Sequence, residues 1–251
     1  MKGFFNLDNP FFRFMSKTFD VLWLNVQWLF TFLLIPGILL SATTKEIAGE
    51  IVVEPALMIL ALVLAIIPFP AACIAMYYAI AKSVRRDRSY VTKEYWKSFR
   101  QNFVQSLGLS VLIMIIGYLL YIDFQYAQNQ MEAGTNMGSI LFGAFMVIAF
   151  LFSGTMIYAF AVFSRFTNRF FVLLRTSMII AFRHMGFTFL MVLVLVACVI
   201  GCYFVLPGPI IFPALAMLII SFMMEPIMIK YTPVPEDSEE ESGEDRWWLE
   251  K

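Results

Sequence analysis

Charge is scarce in this chain, and histidine scarcer still. Only 14% of the residues are charged and 61% are hydrophobic, whereas soluble domains carry about a quarter charged residues. In water such a composition would expose large apolar patches, so the expected solvent is lipid. A single histidine, His184, excludes multi-histidine metal sites, the HExxH type included. The three cysteines, Cys73, Cys198 and Cys202, all sit in apolar runs without polar companions. That argues against a metal or redox site and leaves them as small buried hydrophobes. The sequence also lacks a GxxxxGK[ST] phosphate loop and a GxSxG elbow. No cofactor, no metal and no catalytic constellation are expected, and the chain reads as a non-enzyme.

What the chain has is long apolar runs. Crossing the hydrocarbon layer takes about 20 apolar residues, and six stretches qualify, near 21–40, 55–81, 103–124, 137–163, 187–206 and 210–229. Leu206-Pro207-Gly208-Pro209 splits the last long run into a tight helical hairpin. Unpaired backbone groups are too costly in lipid for anything but helices here. The expected fold is therefore all-α, a polytopic bundle of six transmembrane helices. The first run is about 20 residues, longer than a signal-peptide core, so it is read as a retained anchor.

Orientation follows from the basic residues. With the N-terminus inside, 17 of the 18 Lys and Arg fall on cytoplasmic segments, and only Lys45 falls outside. The positive-inside rule then puts both termini in the cytoplasm. Two of the cytoplasmic segments are amphipathic. Around Trp96, Phe99 and Phe103 apolar residues recur at helical spacing while Lys93, Lys97 and Arg100 interleave. In the second, Arg165, Arg169, Thr176 and Arg183 fall within about 40° of one another at 100° per residue. Such helices lie in the membrane interface or dock on a partner, and Arg85, Arg86, Arg88, Trp96, Arg100, Arg165, Arg169 and Arg183 are the candidate contacts. Both segments are pinned to the bilayer, so no nucleic-acid partner is expected. Phe99-Arg100-Gln101-Asn102 and Phe182-Arg183-His184-Met185, 83 residues apart, hint at a parallel repeat of span, basic helix, span.

The two ends differ in kind. Asn9-Pro10 suggests an N-cap followed by proline at the first helical position, opening an interfacial helix within residues 1–20. Residues 230–251 form an acidic cytoplasmic tail with eight acids between Glu236 and Glu250, a composition that cannot bury a core and is expected to be disordered. It closes on Trp247-Trp248-Leu249, which could seat at the membrane interface or on a partner.

Ionisable groups in spans are functional candidates by default. Here they are Asp20, Asp123 and Glu225, all near span ends, where structural pairing is the first expectation; Arg100 and Arg183 are plausible partners for Asp20 or Glu225. Pro68 and Pro70 break the second span near its middle, either as a packing kink or as a transporter-like site. Asn25 and Gln27 are amides of the sort that join helices.

The opening Asn6-Leu7-Asp8-Asn9-Pro10, within Phe4 to Phe14, resembles the start of YesL-type bacterial membrane proteins. So do Tyr77-Tyr78-Ala79, Lys82, Val84-Arg85 and the stretch Tyr95 to Phe103. Pro70-Ala71-Ala72-Cys73 stands where that family usually has a glycine-rich step. The family is one of unknown function, and its genes typically neighbour ATP-driven carbohydrate uptake systems. The resemblance thus implies an accessory subunit that contacts an ABC importer's permease or ATPase subunits as well as the lipid bilayer. A stand-alone small-solute transporter or channel is the alternative. No catalytic residue is carried over.

Overall fold

The computed structural model describes residues 10–43, 45–47, 50–52, 54–85, 90–134 and 136–231; side chains of 10–14 and 42–53 are outside it. Asn6, Leu7, Asp8, Asn9, Arg86, Arg88 and the tail beyond Tyr231 lie outside the described residues. Among those described, six helical stretches are long and apolar enough to cross a membrane. The protein is an all-α polytopic bundle.

The first span is α1, Pro10–Thr43. Pro10 opens it, and no break separates the expected interfacial helix from the span. Nothing between residues 11 and 35 is a proline or a glycine, so the helix runs unbroken through that stretch, and it continues past Pro36 and Gly37 to a length of 34 residues. A small hairpin comes next that the sequence pattern did not announce: β1, Lys45–Ile47, pairs antiparallel with β2, Glu50–Val52, with Ile47 opposite Glu50. The second span is split. α2, Pro55–Ile66, and α3, Phe69–Ala79, meet at a turn at Ile67 and Pro68, and α3 runs into a π-helical turn, Ile80–Val84.

The basic segment around Trp96 is not a separate connector either. It forms the first turns of α4, Val91–Glu132. This 42-residue rod is about 63 Å long at 1.5 Å per residue, roughly twice the hydrocarbon thickness of about 30 Å. α5, Asn136–Arg165, is the fourth span. The second basic segment is a helix of its own, α6, Phe170–Arg183, ended by His184 at φ −114° and ψ 43°. α7, Met185–Phe204, and α8, Gly208–Ile229, make the expected hairpin. Gly208 is required at the corner, because a Cβ there would lie 2.7 Å from the Gly201 carbonyl oxygen.

α3 is the central post. Residues 70–79 are buried without interruption, and alanines at 71, 72, 75 and 79 let neighbouring backbones close in. α4 lays a polar, small-residue stripe against it: Glu94, Ser98, Asn102, Ser106 and Ser110 are all buried. One apolar cluster joins α3 to α5, α6, α7 and α8, and a second joins it to α1 and the start of α4. Elsewhere the apolar surface is bare. Only 17–39% of the residues in each apolar window are covered by protein, so the remainder is left to lipid.

Candidate functional site: a buried arginine–glutamate cluster beside a basic helix

Three spans deliver charge to one point. Glu225 of α8 is 3% exposed. Arg165, the last residue of α5, places Nη2 3.4 Å from Glu225 Oε1. Arg85, just past the π turn, has Nη1 3.7 Å from Oε2 and donates from the same atom to the Ser221 carbonyl at 3.0 Å. Its guanidinium also stands 4.5 Å from the Phe222 ring centre. The Tyr77 hydroxyl donates to Oε2 at 3.5 Å. One carboxylate thus lies between two guanidinium groups, with side chains of Arg165 and Glu225 only 5% and 4% exposed. A buried pair of this sort adds little net stability but is costly to break, because one charge is then left without its counter-charge.

Local sequence explains the convergence. Tyr78 precedes Arg85 by seven residues, as Tyr158 precedes Arg165; both arginines close a helix rich in small residues. In the first copy the π turn carries the Arg85 N–H to the Ile80 carbonyl, five residues back, at 3.1 Å. π turns insert one residue into an α register and so re-aim the side chains beyond the insertion. Beside this cluster Lys82 pairs with the buried Glu94 at 3.0 Å and donates to the Tyr78 hydroxyl at 3.4 Å.

Neither arginine expected beside Glu225 pairs with it. Arg100 is exposed on α4, where Ser98 and Asn102 face inward, and Arg183 is exposed with its guanidinium 5.9 Å from the Tyr231 ring. Glu225 takes Arg85 and Arg165 instead, so these two are internal ties and not docking contacts. Arg100, Arg169 and Arg183 do remain exposed. Trp96 is half-buried, packed edge-on against Tyr95 and Phe99. Asp20 and Asp123 are half-buried and distant from this cluster in sequence. The roles of Tyr77, Lys82 and Glu94 were missed; the paired Tyr-x6-Arg spacing was the available signal.

The proline break in the second span is packed shut. Ser110 of α4 donates to the Ile67 carbonyl at 2.7 Å, the Ala72 N–H reaches the Pro68 carbonyl at 2.9 Å, and Phe69 sits among Trp28 and Phe32. Pro70 is buried and Pro68 half-buried. A related device joins the first and last spans. Pro213 has no N–H for the Pro209 carbonyl four residues earlier. Asn25 supplies one, donating from Nδ2 at 2.6 Å, while its Oδ1 accepts the Ala214 N–H at 3.0 Å. Asn25 is thus a helix joint, and Gln27 likewise ties the first span to the start of α4, donating to Thr92 at 2.9 Å.

α6 is held firmly at its start. Gln105 of α4 donates to the Asn168 carbonyl, and the Phe170 ring lies over Gly108, where a Cβ would meet it at 2.6 Å. Leu173, Ser177, Ile180 and Ala181 face the bundle. Arg175 and Arg183 point outward among Phe171, Met178, Ile179 and Phe182. Glu225 is the only acid from 166 to 231, so nothing acidic within that stretch answers this exposed positive face.

No group of three or more metal-ligating acids, histidines or cysteines occurs among the described residues. The arrangement is suited to fixing helices and presenting a surface. No curated protein and no solved structure matches the chain. Residues 21–124, from the first span through the apolar part of α4, match the family described as "Protein of unknown function, DUF624", with which the YesL-like resemblance fits.

Proposed function

We propose that the protein is a non-catalytic accessory subunit of a carbohydrate ABC uptake system. It resides in the bacterial plasma membrane with both termini cytoplasmic, and contacts the permease or ATPase subunits through α6. The observation that carries this reading is the exposed face of α6, where arginines and large apolar side chains alternate on a helix anchored by Gly108 and Gln105. Basic amphipathic helices held in place are docking surfaces or interfacial anchors. The gene context implied by the family resemblance favours an importer as the partner. Extraction in mild detergent with the importer intact is the test: the subunits should co-purify, and Arg175→Glu with Arg183→Glu should release them. Recovery of the chain alone under those conditions removes the reading. The alternative, a stand-alone transporter or channel, is motivated by Pro68 and Pro70, whose packing favours a structural kink. Purified protein in liposomes should give no flux above empty vesicles.

A further inference from the structure

Tyr231, just before the acidic segment, is held beside the end of α6. The Tyr231 hydroxyl is 3.2 Å from His184 Nε2, immediately after α6, and its ring is 5.9 Å from the Arg183 guanidinium. Four residues, 232–235, separate Tyr231 from Glu236, the first of the eight acids; extended, the five Cα steps span at most about 18 Å. α6 itself has 14 residues and is about 21 Å long. The acids are therefore tethered within reach of Arg183, Arg175 and Arg169. Trp247-Trp248-Leu249 comes after them, an apolar ending to match Phe171, which is 79% exposed.

We propose that residues 236–250 dock in cis on the exposed arginine-and-apolar face of α6. The acids pair with Arg175 and Arg183, and the tryptophans cover the apolar flank. A short tether holds the segment at an effective concentration of about millimolar, enough for individually weak charge pairs to fill the face. The consequence, which rests on the accessory-subunit reading, is regulation: a partner must displace the protein's own tail, so the free subunit is self-covered.

The test uses the full chain in phosphatidylcholine nanodiscs, with a photoreactive phenylalanine analogue in place of Phe171 or Phe182 and a control at Ile115. Illumination should join positions 171 and 182, but not 115, to peptides within 236–250. Raising salt from about 0.05 to 0.5 M should reduce the yield at least threefold, because screening shortens to a few ångströms. Arg175→Glu with Arg183→Glu should abolish the product. Adding Glu239→Lys, Glu240→Lys and Glu241→Lys should restore it, which separates lost docking from lost folding. Crosslinks only to lipid, equal yield from 115, or a salt-insensitive product overturn the proposal. Importer co-purification without tail crosslinking overturns tail docking alone. Tail crosslinking without importer overturns only the accessory reading.

Discussion

Glu225→Gln should be among the most damaging conservative substitutions in the molecule. The change keeps the shape and removes one charge from between Arg85 and Arg165. Arg85 can swing outward, since its side chain is 19% exposed. Arg165 cannot, at 5%, so the loss of its counter-charge falls chiefly on that residue. Removing one partner of a buried pair costs about 3–5 kcal/mol. For a chain of this length each kcal/mol moves the melting midpoint by about 2–4 °C, so the expected fall is about 6–20 °C. Heating in detergent followed by fluorescence-detected size exclusion reads it. The double change Glu225→Met with Arg165→Met should recover most of the loss, because apolar replacements of both partners are close to neutral. A Glu225→Gln protein that melts within about 2 °C of the parent, less than one kcal/mol on that scale, would refute the reasoning.

Asn25→Leu should cost about 1–3 kcal/mol by stranding the Pro209 carbonyl and the Ala214 N–H, and Pro213→Ala in the same protein should return part of it; thermal midpoints decide. Gly108→Val should lift Phe170 and loosen α6, read as faster hydrogen exchange across 166–183, with Phe170→Ala relieving the clash. Ser110→Ala should lower stability by about 1 kcal/mol at the Ile67 carbonyl, where a span lined for transport would show little change. Desolvation holds the His184 pKa below its usual 6.5, and Lys230 and Arg183 push the same way. The folded state therefore prefers neutral imidazole. Its contribution is complete above about pH 6.5 and is lost as pH falls below that value through the lower pKa of the folded state. The midpoint should drop between neutral and mildly acidic pH, and His184→Gln should flatten that part of the profile.

Much of the architecture can be read along the chain because lipid makes a strong filter. A 20-residue apolar run has few alternatives to a spanning helix, and Pro207-Gly208 marks the last corner plainly. Continuity is harder. α1 and α4 run straight through the junctions of amphipathic and apolar sequence because no proline or glycine interrupts those joints, while composition alone suggested separate pieces. The hairpin at Lys45–Val52 is only three residues per strand, too short for a periodic signal. Glu225 stood out as a membrane acid, yet its partners did not, since pairing depends on helix rotation. The π turn that aims Arg85 has no sequence signature. Asn25 was recognisable as a joint; that it mends the gap left by Pro213 became visible only when α1 and α8 were side by side.

That mend has a bearing on how the protein is made. Asn25 and Pro209 are 184 residues apart, and synthesis proceeds at about 5–20 residues per second. Roughly 10–40 s therefore pass between the emergence of the amide and that of the carbonyl it serves. Through that interval α1 must wait with a polar group in or beside oil, and the bundle can latch only when the final hairpin arrives. The earliest helix is thus finished by the latest one, and a ribosome that stalls before α8 leaves the first span open.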